Sequence, residues 1–389
     1  MKLKSLSLAM YVAVAACGDS TGPDVRVLSI EPDVGLAVGT GGTMQFEAIA
    51  LGEGGVELSS AEVRWSVDDP SIASIDANGR ATGVSEGFTM VTAELGDRSA
   101  TAGLEVYEPP AVGTFVPGQS YFGREDYIEY IPGTLPVVLS AGHGGSETPA
   151  EIADRTFGVV IADRNTLELT LAVRDALIDL TGQAPHVVLS RLHRSKLDPN
   201  REIEEAAQGN PFAERAWAEY HGYIDHARTV ASARGEGMYF DMHGHGHAVA
   251  RLELGYLLTG SQLDGTDASL NGIPVVRQTS IRELGRDTPL DFSSLLRGPT
   301  SFGGFLEGEG VPVVPSPGDP SPNGAPYFSG GYSTREHGSL NDGELVSGIQ
   351  IEHHYPGLRD TDANRRDYAE RLARVIRDYM LEHIGYFEP

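Results

Sequence analysis

Apolar and polar positions follow two regimes along this chain, and the change between them falls near residue 108. From 25 to 107, short apolar-polar runs at 25–30, 44–48, 63–67 and 90–94 are separated by Gly, Asp, Asn and Pro. Alternation puts successive side chains on opposite faces of a strand, so this spacing predicts a small all-β sandwich with Trp65 on its inner face. From about 124 onward, strand-type runs at 135–140, 186–190, 237–242 and 346–351 are interleaved with helical patterns at 165–180, 213–233 and 363–384. The first of these carries Leu167, Leu171, Ala172 and Ile178 with charges between them, an amphipathic helix. Strands and helices alternating over 124–389 predict an α/β domain with a mostly parallel central sheet, whose ligand site lies at strand carboxyl ends. The stretch 108–123, with Pro109, Pro110 and several glycines, reads as a linker.

The first residues follow a third pattern. Two lysines precede a short apolar run over 6–16, and Val14, Ala15 and Ala16 lead into Cys17. A run this short reads as a signal peptide rather than a spanning helix. The small residues before the cysteine resemble a bacterial lipobox. That resemblance implies cleavage ahead of Cys17, lipid on its thiol, a tether over 18–24, and export to the bacterial cell envelope, at the outer membrane or cell surface. The other reading is a plain signal peptide with an incidental cysteine. Cys17 is the single cysteine of 389 residues, so no internal disulfide framework is expected.

Charge narrows the partners. The chain has 55 acids against 29 bases, a formal charge of −26, which repels phosphate backbones and anionic lipid. Nucleic acid is therefore excluded as a partner, and membrane contact is expected through the lipid anchor alone.

All twelve histidines lie beyond residue 140. One strand runs into Gly142-His143-Gly144-Gly145-Ser146-Glu147, where glycines let the backbone turn and a ligand approach, and where His143 and Glu147 form a zinc-ligand pair in type. Another ends in Asp241-Met242-His243-Gly244-His245-Gly246-His247, which is either a metal-binding run or an exposed loop. Between them lies Asp198-Pro199-Asn200-Arg201, where Asn and Arg suit recognition of a carboxylate, or where Asp198 or Asn200 caps a helix. A late strand ends in Gln350-Ile351-Glu352, and Glu352 is either a proton acceptor beside a metal or a surface charge. No Gly-x-Ser-x-Gly elbow accompanies these residues, so a serine hydrolase has little support.

Two resemblances follow. Residues 63–76, 78–84 and Gly87 resemble the bacterial Ig-like group 2 domain over nearly all of 25–107. This implies a spacer or adhesive module, with a surface ligand where it is adhesive. The order His143…Glu147, Asp198-x-Asn200-Arg201, Asp241-x-His243, Ile351-Glu352 resembles the zinc carboxypeptidase superfamily, and more closely its N-formylglutamate amidohydrolase-like branch, over about 135–380. The resemblance implies Zn2+ held by His143, Glu147 and His243, Asp198 orienting His143, and Glu352 as the catalytic base. It makes Asn200 and Arg201 the clamp for a substrate carboxylate, and Arg194 (or Arg191) the group that polarises the scissile carbonyl. Because His143 and Glu147 are one residue further apart than the superfamily's His-x-x-Glu, Glu151, Asp163 and His245 stand as substitutes for Glu147. His245 or His247 is assigned to substrate or to a second ion. The implied activity is hydrolysis of an amide beside a free carboxylate, in an N-acyl amino acid or at a peptide C-terminus. The alternative is a surface binding protein with an inactive hydrolase-like domain. The Gly-, Pro- and Ser-rich stretch 303–332 reads as a loop over the site.

Overall fold

The computed structural model describes residues 25–58, 63–109, 115–286 and 288–387. The signal peptide, Cys17, the tether and residues 110–114 of the expected linker lie outside the described residues. The chain divides into two compact units, Met1–Pro109 and Pro110–Pro389.

The first unit is all β. Its strands are β1 (Val27–Glu31), β2 (Val34–Val38), β3 (Thr43–Gln45), β4 (Glu47–Leu51), β5 (Glu57–Leu58), β6 (Arg64–Val67), β7 (Ala73–Ile75), β8 (Arg80–Gly83), β9 (Gly87–Leu95) and β10 (Arg98–Tyr107). They form sheets in the orders β2-β10-β9-β6, β1-β4-β5 and β3-β8-β7. Alternation buries one face of each, and Phe46, Ala81, Val91, Ala93, Leu104 and Val106 make the core. Trp65 packs against that core half-buried. The Asn78-Gly79 turn closes beneath its ring. Gly79 has φ +79°, and a Cβ there would sit 2.4 Å from the Phe46 carbonyl oxygen.

In the second unit the elements are β11 (Tyr121–Phe122), β12 (Ile128–Ile131), β13 (Val137–Ala141), α1 (Thr166–Thr181), β14 (His186–Ser190), α2 (Ile203–Ala206), α3 (Pro211–Ala231), β15 (Gly237–Gly244) and β16 (Leu252–Gly255). Short helices α4 (Gly260–Leu263), α5 (Asp267–Leu270), α6 (Ile273–Val276), α7 (Phe292–Arg297) and α8 (Phe302–Gly308) precede β17 (Val313–Val314), α9 (Tyr332–His337), β18 (Val346–His353) and α10 (Asp362–Ile384). One eight-stranded sheet runs β11-β12-β14-β13-β15-β18-β16-β17. Its centre, β14-β13-β15-β18, is parallel, while β12 and β16 join antiparallel to β14 and β18. The α/β architecture with a mostly parallel sheet is thus present, and the strands that periodicity did not mark are the four outer ones.

The connections fix where a site can form. From β13 the chain passes through α1 to β14 on one side, then through α3 to β15 on the other side of β13. Right-handed crossovers in opposite directions put the two helices on opposite faces and open a crevice at the carboxyl ends of β13 and β15. On one face, Met238, Phe240, Met242, Ile349 and Ile351 pack with Leu169, Val173 and Leu177 of α1 and Leu372, Val375 and Ile376 of α10. The alternate residues of β15 and β18 face the other way: Tyr239, Asp241 and His243, Gln350 and Glu352. Helix α3 begins sharply because the Asn210 side chain accepts from the backbone N–H of Phe212 and Ala213, with Pro211 at its first position.

Candidate metal centre

Three ligand atoms converge at the crevice. His143 follows the end of β13, His243 lies in β15, and Asp163 ends the loop before α1. The Nδ1 atoms of the two histidines are 3.0 Å apart, and Asp163 Oδ2 lies 3.3 Å from the first and 3.2 Å from the second. All three residues are buried. Asp163 is brought there by its own backbone, whose N–H donates to the His143 carbonyl, and the Gly244 N–H donates to its Oδ2.

The opposite edge of each ring decides what this triangle can hold. His143 Nε2 is 2.6 Å from Asp198 Oδ1, and His243 Nε2 is 2.9 Å from Asp241 Oδ2. A carboxylate accepts, so each Nε2 carries hydrogen and each Nδ1 of a neutral ring presents a lone pair. Two lone pairs and an anionic oxygen then face one another at 3.0–3.3 Å. Such a group is repulsive by itself and complementary to a cation. Tetrahedral zinc with bonds near 2.0–2.1 Å separates its ligands by about 3.3–3.4 Å. The two imidazoles, one carboxylate and their carboxylate partners therefore fit zinc in donor type, spacing and tautomer.

The surrounding charges agree. Burial opposes the ionised form of Asp163, but His143 and His243 outweigh it and hold the carboxyl well below the usual range. Burial likewise opposes charge on Asp198, where His143, Arg194 and Arg201 prevail and lower it. His243 is raised although burial works against it, because Asp241, Asp163 and Glu352 surround it. Without an ion, a proton shared among these groups takes the place of the cation.

Glu352 stands beside His243 in the register of β15 and β18, with Glu253 of β16 on its other side. Its Oε1 accepts from Gln350 Nε2 at 3.2 Å, and its buried Oε2 finds no hydrogen-bond partner among the described residues. Burial, followed by the charges of Asp163, Glu253 and Asp241 against the partial relief of His243, pushes its pKa up to about 8.

Glu147 is not in this group. Its side chain is 37% exposed and pairs with Arg191 at 3.3 Å, while its backbone bridges to Leu192 beside β14. The loop leaves β13 in a direction that carries residue 147 to the neighbouring strand, and Asp163 supplies the carboxylate instead. Glu151 is also turned away, bound by Arg124 and Tyr127.

Asn200 is buried, with its Nδ2 3.4 Å from His243 Nε2 and its Oδ1 accepting from the Ser333 N–H at 2.8 Å. Arg201 turns elsewhere, donating to the Asn200 carbonyl and pairing with Glu205 at 3.3 Å. Arg194 sets both Nε and Nη2 on Asp198 Oδ2 at 2.9 Å, and its Nη1 is 3.6 Å from Asp163 Oδ1. It is engaged in holding the centre's carboxylates. Arg155, which the sequence did not single out, reaches Asp198 at 3.8 Å from a nearly inaccessible side chain.

His245, His247 and Glu253 form a second group in which ligand atoms approach one another. His245 is satisfied within the protein: Nε2 donates to the Arg251 carbonyl at 2.8 Å, and Nδ1 accepts the His247 N–H at 3.1 Å. His247 pairs with Glu253 at 2.7 Å and stacks on Phe328 with ring centres 4.6 Å apart. These contacts make a braced rim, and they leave His245 no lone pair for an ion. Glu253 was legible only as an acid between Leu252 and Leu254, whose side chains enter the core.

Comparisons with known proteins bear mainly on the first unit. The family of bacterial Ig-like domains (group 2) matches residues 24–106. Among solved structures, domains 4 and 5 of the S-layer protein SbsC are similar at 17% identity over 22% of this chain and 53% of that one, TM-score 0.20. The gene product Atu2144 from Agrobacterium tumefaciens is similar at 14% identity over 65% of this chain and 94% of that one, TM-score 0.40. A provisionally assigned carboxypeptidase A from Shewanella denitrificans OS-217 is similar at 11% identity over 94% and 98% of the two chains, TM-score 0.32. This chain thus spans about half of the SbsC fragment that it matches. Among curated proteins none matches significantly.

Proposed function

We propose that the second unit is a zinc-dependent hydrolase that cleaves an amide next to a free carboxylate. The observation that carries this reading is the triangle of His143 Nδ1, His243 Nδ1 and Asp163 Oδ2, each imidazole backed by its own buried carboxylate, with Glu352 alongside. Three protein ligands leave a fourth position open, the arrangement of a catalytic site.

When bound, zinc would polarise the scissile carbonyl and lower the pKa of a water from 15.7 towards about 7. The chain's own residues do the rest. Asp198 and Asp241 keep hydrogen on the Nε2 atoms, so the Nδ1 atoms stay ligands. Arg194 fixes Asp198 and thereby the ring of His143. Glu352, whose Oε2 has no other partner, takes the proton of the attacking water and gives it to the leaving nitrogen. Two positive charges among the ligands would offset Asp163 and Asp241, which favours the ionised form of Glu352 that this step requires.

Asn200 and Arg201 remain the residues proposed to receive the substrate carboxylate. Arg201 has to exchange Glu205 for substrate, a change within reach of a side chain about a third exposed. The Ig-like unit supports a place outside the cell, as a spacer or adhesive module, and export with lipid on Cys17 completes that proposal. Peptide scavenging or trimming of cell-wall stems suits such a location.

The test is elemental analysis of the purified protein, followed by assays on N-formylglutamate and short peptides with and without chelator. About one zinc per chain and activity lost to chelator are expected. A protein that takes up no zinc and retains a ligand-binding role with Glu352→Gln would instead be a binding module.

A further inference from the structure

The loop that delivers Asp163 has a second property. Residues 156–161 read Thr-Phe-Gly-Val-Val-Ile, and all six are exposed. Phe157 is 56% exposed, Val159 46%, Val160 36% and Ile161 77%. Scattered apolar side chains on a surface need no explanation, but four within five residues form a patch of the kind that marks a binding site.

Their outward direction has a cause. The loop's carbonyls are turned inward onto fixed donors. Buried Arg155 donates from Nη1 to the Val159 carbonyl at 2.7 Å and to the Arg194 carbonyl at 3.1 Å. Gln208 Nε2 donates to the Phe157 carbonyl at 2.9 Å, and Arg194 Nη1 approaches the Ile161 carbonyl at 3.4 Å. Gly158, with φ +79°, makes the turn between Phe157 and Val159. With the carbonyls held, the side chains face solvent.

The patch is continuous with the metal centre. Ile161 stands two residues before Asp163, and the arginine that meets its carbonyl is bonded to Asp198, the partner of His143. A substrate group bound on this patch therefore lies at the rim where an amide would be cleaved.

We propose that Phe157, Val159, Val160 and Ile161 form an apolar sill that receives a hydrophobic group attached next to the scissile amide, so that preferred substrates carry a bulky apolar acyl chain or side chain rather than a formyl group. This rests on the hydrolase reading and adds the substrate class to it. A lipid surface is a poorer occupant, because a chain of net charge −26 is repelled by anionic headgroups, and the flanking Glu151 and Asp154 add no cation.

The experiment uses the zinc-loaded full chain and a series of N-acyl amino acids from formyl to octanoyl, with dipeptides bearing polar or apolar residues as a second arm. Full burial of a methylene is worth about fourfold, so on an open sill kcat/KM should rise roughly twofold per methylene until the sill is covered. Phe157→Ser and Ile161→Ser should lower the octanoyl-to-formyl ratio about 10-fold each, while Ile273→Ser, at a comparably exposed site elsewhere, should leave the ratio alone. Calorimetric binding of the same series to the Glu352→Gln protein gives a readout independent of turnover. Cleavage of formyl and octanoyl substrates at equal rates, with the ratio and the binding unaltered in both sill variants, overturns the sill and leaves the hydrolase standing. No cleavage of any member, with binding that still grows with chain length and weakens in the variants, overturns the hydrolase and keeps an apolar ligand site. If the variants change only vesicle flotation or only sedimentation as a dimer, the patch serves lipid or a second copy and the proposal fails. The two arms decide whether an acyl chain or a peptide side chain is the natural occupant.

Discussion

Asp198 makes the shortest contact to an imidazole of the centre, 2.6 Å from His143 Nε2, and Arg194 holds its other oxygen. Asn in its place would set an amide against that nitrogen, favour the opposite tautomer, and put hydrogen on Nδ1 where a lone pair is needed. Asp198→Asn should therefore weaken zinc about 10- to 100-fold, measured by competition with a chromogenic chelator. Glu352→Gln should do the reverse: zinc content stays near the wild-type value, while kcat falls roughly 10²- to 10⁴-fold, because only the proton acceptor is lost. A variant with normal kcat would remove Glu352 from the mechanism. His143, His243 and Glu352 could be picked from the sequence because each ends or follows an apolar strand run, where α/β sheets place their chemistry. Asp163 could not be preferred over Glu147, since both lie in irregular chain and neither has a periodicity to follow.

At the level of elements, the His143 loop is threaded through a narrow gap. A Cβ on Gly145 would lie 2.3 Å from the Arg191 carbonyl carbon and oxygen, and one on Gly144 2.5 Å from the Leu167 nitrogen. These are backbone atoms of β14's exit and α1's first turn, so neither can step aside. Gly145→Ala should lower stability by about 1–3 kcal/mol, read as a shift in Tm, and should lower zinc content because the same loop carries His143. Unchanged Tm would mean that the loop has more room than the close approach indicates. The parallel centre of the sheet was legible because its strands are buried on both faces and read as apolar runs. The outer strands were not, because β11 and β17 have two residues each and β16 interrupts its apolar pattern with Glu253.

For the whole molecule, acid is the informative stress. Burial, with a smaller contribution from His226, pushes His186 down to about 4, and burial with His337 pushes His221 down to about 3. Both are neutral when folded and accept a proton near pH 6.5 when unfolded. The stability they contribute is complete above pH 6.5 and is lost as pH falls towards 4. For His186 alone the loss amounts to about 3 kcal/mol at the acid end. His186→Asn, which can still accept from the Gly133 N–H, should show a smaller fall in Tm between pH 7 and 4.5 than the wild type. An equal fall would show that other groups control acid unfolding. Each core cluster draws its residues from one unit alone. Residues 110–389 on their own should therefore keep one zinc per chain, as elemental analysis would show.

Local rules in the sequence were enough for the class of each region: turn-punctuated alternation for the sandwich, apolar runs between amphipathic segments for the α/β unit, and polar residues at strand ends for the site. Those features depend on neighbours within a few residues. Which carboxylate joins the two imidazoles, which arginines are already engaged, and which side chains stand at the rim were settled only by folding. Residues 20 to 200 apart meet there through backbone hydrogen bonds and close approaches that leave no periodic trace along the chain.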